Sequence, residues 1–197
     1  MSHSLLIITL KSKIMLDNLI NLVRQNAGSA VINNPSIPNE ENEEAVNSAG
    51  GSIMATLQNA LSGGKINDVL SYFKNGKDAS PEIVKEATHN YASDLQNKLG
   101  LEASEAEKVA AGVVPTTMDQ LASKAADPSD SSFNIQDIFN KLSGGKTGGL
   151  NIQSMLNKFG GGKLDKDGDG DVDLQDLKSM FAGGSGGIMD KVKGMFK

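Results

Sequence analysis

Residues 165–176 read Asp165-Lys166-Asp167-Gly168-Asp169-Gly170-Asp171-Val172-Asp173-Leu174-Gln175-Asp176. Six carboxylates fall in this stretch at odd spacing until the last, with glycine at the fourth and sixth places. Neighbouring carboxylates about 5 Å apart repel by roughly 1–3 kcal/mol per pair, depending on the effective dielectric. A hard cation with oxygen ligands, or partial protonation, removes that repulsion. In a twelve-residue calcium loop the ligands come from positions 1, 3 and 5, the backbone carbonyl of 7, position 9 (often through water) and position 12. Those places are held here by Asp165, Asp167, Asp169, Asp171, Asp173 and Asp176. Gly170 stands where the chain must turn sharply around the ion, which glycine does at no steric cost. The pattern predicts calcium binding, with magnesium as the alternative, since short aspartates with retained waters suit the smaller ion as well.

The stretch resembles an EF-hand-type loop, with two departures. Position 12 is Asp176 instead of glutamate, and its shorter side chain reaches the ion less easily in bidentate fashion. That places the affinity on the order of 10⁻⁵ to 10⁻³ M. The entry is also loosely tied, because Gly160-Gly161-Gly162 precedes Lys163 and Leu164. The exit reads as a proper helix with Leu174, Leu177 and Phe181 on one face.

The remaining composition narrows the function classes. The whole chain carries a net charge of −5; the loop, with six aspartates against one lysine, has the same net charge, so everything outside it is formally neutral. A nucleic-acid partner is not expected, since no region has a strong basic excess. Cysteine is absent, which excludes disulfides and thiolate metal sites. The histidines are His3 and His89, and no Ser/His/Asp or Cys/His set and no paired carboxylate on an apolar cleft is legible, so no enzyme is expected. The apolar run Leu5–Leu10 is too short to span a bilayer and lacks a basic leader, so no transmembrane segment is expected. Met15 opens a more ordinary amphipathic helix and is the expected start, which makes residues 1–14 an extra segment. A cytoplasmic location is the expectation.

The elements that would position the loop are helices. Residues 15–26 form an apolar face from Leu16, Leu19, Ile20 and Val23, and Pro35-Ser36-Ile37-Pro38 breaks the chain. Asn39 is the expected cap of a helix whose first turn holds Glu40, Glu41, Glu43 and Glu44. A repeated signature follows, about three turns with an apolar stripe closed by glycine. Its members are 53–65, 65–77, 134–146, 151–163 and 173–185, with Asn134, Asn151 and Asp173 as N-caps. These glycines follow helices instead of preceding them, so they are stops and hinges, not phosphate cradles. Pro81 opens what reads as the longest helix, ending at Leu99 before Gly100, with Val84, Ala87, Tyr91, Leu95 and Leu99 as its buried stripe and His89 on the polar face. Ser104 and Glu107 suggest a capping box for the next helix, which Pro115 kinks or restarts. Residues 127–133 read as a linker. The turn between these helices has the spacing of a helix-turn-helix, but Glu102, Glu105 and Glu107 in the second helix would repel phosphate.

The run Ser93-Asp94-Leu95-Gln96-Asn97-Lys98-Leu99-Gly100-Leu101-Glu102, with the Ala- and Val-rich helix after it, Pro115 and Leu121, resembles the bacterial YidB-like family, also known as domain of unknown function 937. The resemblance covers about residues 15–126 and implies a multihelical domain with a homeodomain-like helix arrangement and no established activity. The whole is read as an all-α protein: a helical domain at 15–126, a linker at 127–133, and Gly-hinged short helices at 134–197 carrying the loop. The expected role is a calcium-responsive binding module for a protein partner. The alternatives are a self-assembling scaffold that calcium only stabilises, or weak membrane-surface attachment through the basic and apolar segment 188–197.

Overall fold

The computed structural model describes residues 15–127, 129–145, 147 and 151–158. Its regular elements are helical, with no strand among the described residues. Helix α1 occupies residues 15–26. The others are α2 (Asn42–Ser62), α3 (Ile66–Asn75), α4 (Pro81–Leu99), α5 (Ala103–Ala126), α6 (Ile135–Leu142) and α7 (Ile152–Lys158). The expected all-α class is thus seen.

The core is built around α2, α4 and α5. Helix α4 packs along both of the others. Its buried stripe is Ile83, Val84, Ala87, Tyr91, Ala92 and Leu95, while Leu99 is half-buried at its end. Gly100 stops α4 in the left-handed conformation at φ 67°, which an L side chain adopts only with strain. The amide of Leu101 then donates back to the Leu95 carbonyl and that of Gly100 to Gln96, which closes the helix end. Leu101 is buried, so the turn into α5 is pinned from both sides.

Several boundaries differ from the sequence reading. The stretch 42–62 is one helix, not a capped helix followed by a second at 53–65. Asn39 does not cap it; a 3-10 turn at Asn39–Glu41 comes first, and α2 begins at Asn42 without a side-chain cap. Gly50 and Gly51 both lie inside α2; packing wants little bulk at Gly50, where a Cβ would sit 3.3 Å from Ile20 Cγ1 of α1, whereas Gly51 faces open space. The Ser104–Glu107 capping box does not form, since α5 starts at Ala103 with Glu102 extended before it. Helix α5 runs through Pro115 and, at 24 residues, is longer than the 19-residue α4. Leu22 joins Leu19 and Val23 in the core of α1, where Leu16 and Ile20 are half-buried.

The connection 127–133 is held by local bonds and by the core. Asp127 accepts from Ser129 N–H, and Asp130 accepts from Ser132 N–H and from Lys124 Nζ at 3.1 Å. Phe133 is buried. Helices α6 and α7 add Ile135, Ile138, Phe139, Leu142, Ile152, Met155 and Leu156 to the same apolar cluster as α1–α5. Phe139 of α6 meets Phe73 of α3 with ring centroids 5.7 Å apart, and Phe73 in turn lies edge-on to Tyr72.

Candidate functional site

Asp165, Asp167, Asp169, Asp171, Asp173 and Asp176 all lie outside the described residues, as do residues 1–14 and 188–197. What the structure does describe is the helix that precedes the loop. Asn151 Oδ1 accepts from Ser154 N–H at 2.8 Å, the expected N-cap of α7. Ile152, Met155 and Leu156 then bury one face of this short helix. The loop between α6 and α7 is clamped by Gln136, whose side chain donates to the Thr147 carbonyl at 3.3 Å and accepts from Ile152 N–H at 3.0 Å. Asn134 caps α6 by accepting from both Gln136 N–H and Asp137 N–H. The chain therefore arrives at residue 158 from a helix seated in the core.

The pentapeptide Leu-Ser-Gly-Gly-Lys closes two helices in different registers. After α2, the left-handed residue is Gly64, and Lys65 N–H reaches back to the Ala60 carbonyl. After α6, Gly144 and Gly145 both have positive φ, and Gly145 N–H reaches Asn140. Helix α6 stops one residue earlier in the motif because Leu142 is its last helical residue and Ser143 caps it, whereas Leu61 and Ser62 still belong to α2.

Among the described residues no group of three or more His, Cys, Asp or Glu could hold a metal ion. The polar side chains instead form links between helices. Ser52 Oγ donates to Asp94 Oδ2 at 3.0 Å, and Lys98 Nζ lies 3.3 Å from both Asp94 Oδ2 and Ser48 Oγ. Asn90 Nδ2 donates to Thr56 Oγ1 at 2.9 Å on the same seam. Ser48, Ser52 and Thr56 recur at four-residue intervals on α2, the signal in the sequence that marks this seam. Between α1 and α5, Asn26 Nδ2 donates to Gln120 Oε1 at 3.0 Å. Tyr72 O–H donates to the Met118 carbonyl at 2.5 Å; burial, and then the Asp119 carboxylate, push its phenol well above the ordinary value. Tyr91 is raised in the same way by burial and by Asp94, and its buried hydroxyl has no hydrogen-bond partner. Each of these polar groups sits in a packed helix contact. His89 is exposed on α4, as the sequence places it.

An open groove of about 450 Å³ is lined by Ile32, Asn33, Asn34, Pro35, Ile37, Pro38 and Asn39. Among the described residues, no helix is long and apolar enough to cross a membrane. No family model, curated protein or solved structure matches the chain.

Proposed function

We propose that this chain is a non-enzymatic calcium-binding helical protein whose loop at 165–176 is ordered by the cation. The observation that carries the reading is the ligand register itself: Asp165, Asp167, Asp169, Asp171, Asp173 and Asp176 with Gly170 at the turn. The core-seated α7, with Ile152, Met155 and Leu156 buried, anchors the chain six residues before the loop begins. Calcium binding would set how the exiting segment, with Leu174, Leu177 and Phe181, meets the rest of the protein or a partner. The YidB-like assignment of residues 15–126, with its homeodomain-like helix arrangement, belongs to this proposal, as does the EF-hand character of the loop. Amide hydrogen exchange tests the reading: calcium should protect residues 165–181 in the parent and leave an Asp165→Ala/Asp176→Ala variant unchanged. Equal exchange with and without millimolar calcium would refute it. Light scattering in the same two conditions separates a partner-binding module, of constant mass, from a calcium-stabilised assembly.

A further inference from the structure

The groove at residues 32–39 is a preformed surface. It starts from a π turn at Gly28–Ile32, in which Ile32 N–H bonds the Ala27 carbonyl and Asn33 N–H bonds Gly28. Asn34 then holds the loop from three directions. Its Nδ2 donates to the Ala30 carbonyl and to Glu105 Oε1 of α5, and its Oδ1 accepts from Ser36 N–H. Ile37 is buried beneath, and Asn42 Nδ2 reaches the Ile32 carbonyl at 3.5 Å from the start of α2. Ile32, at 39% exposure, is the exposed large hydrophobic side chain of the described residues, and it lines this groove between two prolines and three asparagines.

In the chain, the groove's last lining residue is followed at once by a run of negative charge. Glu40, Glu41, Glu43 and Glu44 follow Asn39, and of these Glu43 is answered by Arg24 at 2.8 Å. Glu41 Oε2 and Asn42 Oδ1 are buried oxygen acceptors with no hydrogen-bond partner. A surface with one exposed aliphatic side chain, followed directly in the chain by exposed carboxylates, fits an apolar, cationic occupant.

The chain carries one such segment. Residues 188–197 read Ile188-Met189-Asp190-Lys191-Val192-Lys193-Gly194-Met195-Phe196-Lys197, with three lysines against one aspartate and five large apolar side chains. We propose that this segment docks on the 32–39 groove of its own chain, its apolar residues against Ile32, Pro35 and Pro38 and its lysines toward Glu40, Glu41 and Glu44. The reach is sufficient: residues 159–187 separate it from α7, and a stretch of that length extends up to about 95 Å, against a diameter of roughly 40 Å for a domain of this size. Tethering also presents the segment at an effective concentration on the order of millimolar, so modest affinity fills the groove. The inference does not depend on calcium binding at 165–176.

The chain has no cysteine, so a pair of introduced thiols reports this contact cleanly. In the full-length protein, Asn33→Cys with Gly194→Cys is treated with a short bismaleimide and compared with Glu86→Cys with Gly194→Cys. Glu86 is exposed on α4, about 20 Å along the helix from its C-terminal end. The expected result is an intramolecular cross-link at Asn33 in roughly ten-fold excess over Glu86, lost on adding Ile32→Asp or Glu41→Lys and recovered when Glu41→Lys is combined with Lys193→Glu. Equal yields at the two sites, or a yield indifferent to Ile32→Asp, overturn the proposal. So does a cross-link that forms chiefly between chains, since the groove would then hold a second copy. Co-sedimentation with phosphatidylserine vesicles is the companion measurement: a segment that binds vesicles and gives no Asn33 cross-link in their absence assigns 188–197 to a membrane surface instead.

Discussion

Replacing Phe139 with alanine tests whether α6 is part of the same cooperative unit as α1–α5. Phe139 is fully buried, and its ring lies 5.7 Å from that of Phe73, across from Tyr72 on α3. Removing a buried phenylalanine side chain costs about 3–5 kcal/mol, against a total of about 5–15 kcal/mol for a typical domain. With a urea slope of about 2 kcal/mol/M, the midpoint should fall by roughly 1.5–2.5 M. The assay follows from composition: the chain has two tyrosines, Tyr72 and Tyr91, and no tryptophan. Both lie in α3 and α4, so tyrosine fluorescence reports the region before residue 127 alone, while far-ultraviolet circular dichroism reports every helix. A common core requires the tyrosine midpoint of Phe139→Ala to move with the dichroism midpoint. A tyrosine transition that stays in place while helicity is lost earlier would refute the shared core and make 134–158 a separate unit.

Three further substitutions probe local terms. Gly51 faces open space on α2, so Gly51→Ala should raise stability by about 0.5–1 kcal/mol by denaturant titration, whereas at Gly50 the added methyl meets Ile20 and the gain should shrink; a larger gain at Gly50 would contradict the tight α1–α2 contact. Asp130 is held down to about 2 from 3.8 by the hydroxyl and amide of Ser132 and by Lys124, and Asp127 is lowered by Ser129. Because the folded protein binds the Asp130 proton less readily than the unfolded chain, its contribution is complete above the unfolded value and is lost as pH falls from about 4 to about 2. The thermal midpoints of the parent and Asp130→Asn should therefore differ at pH 6 and converge near pH 2; a constant difference would sink the assignment.

The sequence is most informative where one residue type has one physical outcome. Pro81 and Gly100 bound α4 where they are expected to, because proline suits a first turn and glycine suits the left-handed stop. Asn134 and Asn151 cap their helices through side-chain oxygens, as the type and position imply. The pattern misleads where tertiary packing overrides local preference. The stretch from Asn39 to Lys65 reads as two helices, yet α2 runs unbroken from Asn42 to Ser62, with α1 packed close against it at Gly50. Ser104 and Glu107 have the spacing of a capping box, but the closed end of α4 and buried Leu101 set the entry two residues earlier, with Glu102 at the N-cap position. The Pro35-Ser36-Ile37-Pro38 break is legible in the sequence, but the π turn at Gly28–Ile32 before it is not, and one of the bonds that holds the loop, Asn34 to Glu105 of α5, is long-range. Of the candidate site, the sequence supplies the ligand register, and the described helices supply the approach to it through α7.

The central claim is the cation loop, and a calorimetric titration of calcium into the full-length protein tests it most directly. The account predicts one calcium per chain with a dissociation constant on the order of 10⁻⁵ to 10⁻³ M, and no binding to the Asp165→Ala/Asp176→Ala variant. No heat from the parent at millimolar calcium, or equal heat from both proteins, would contradict it.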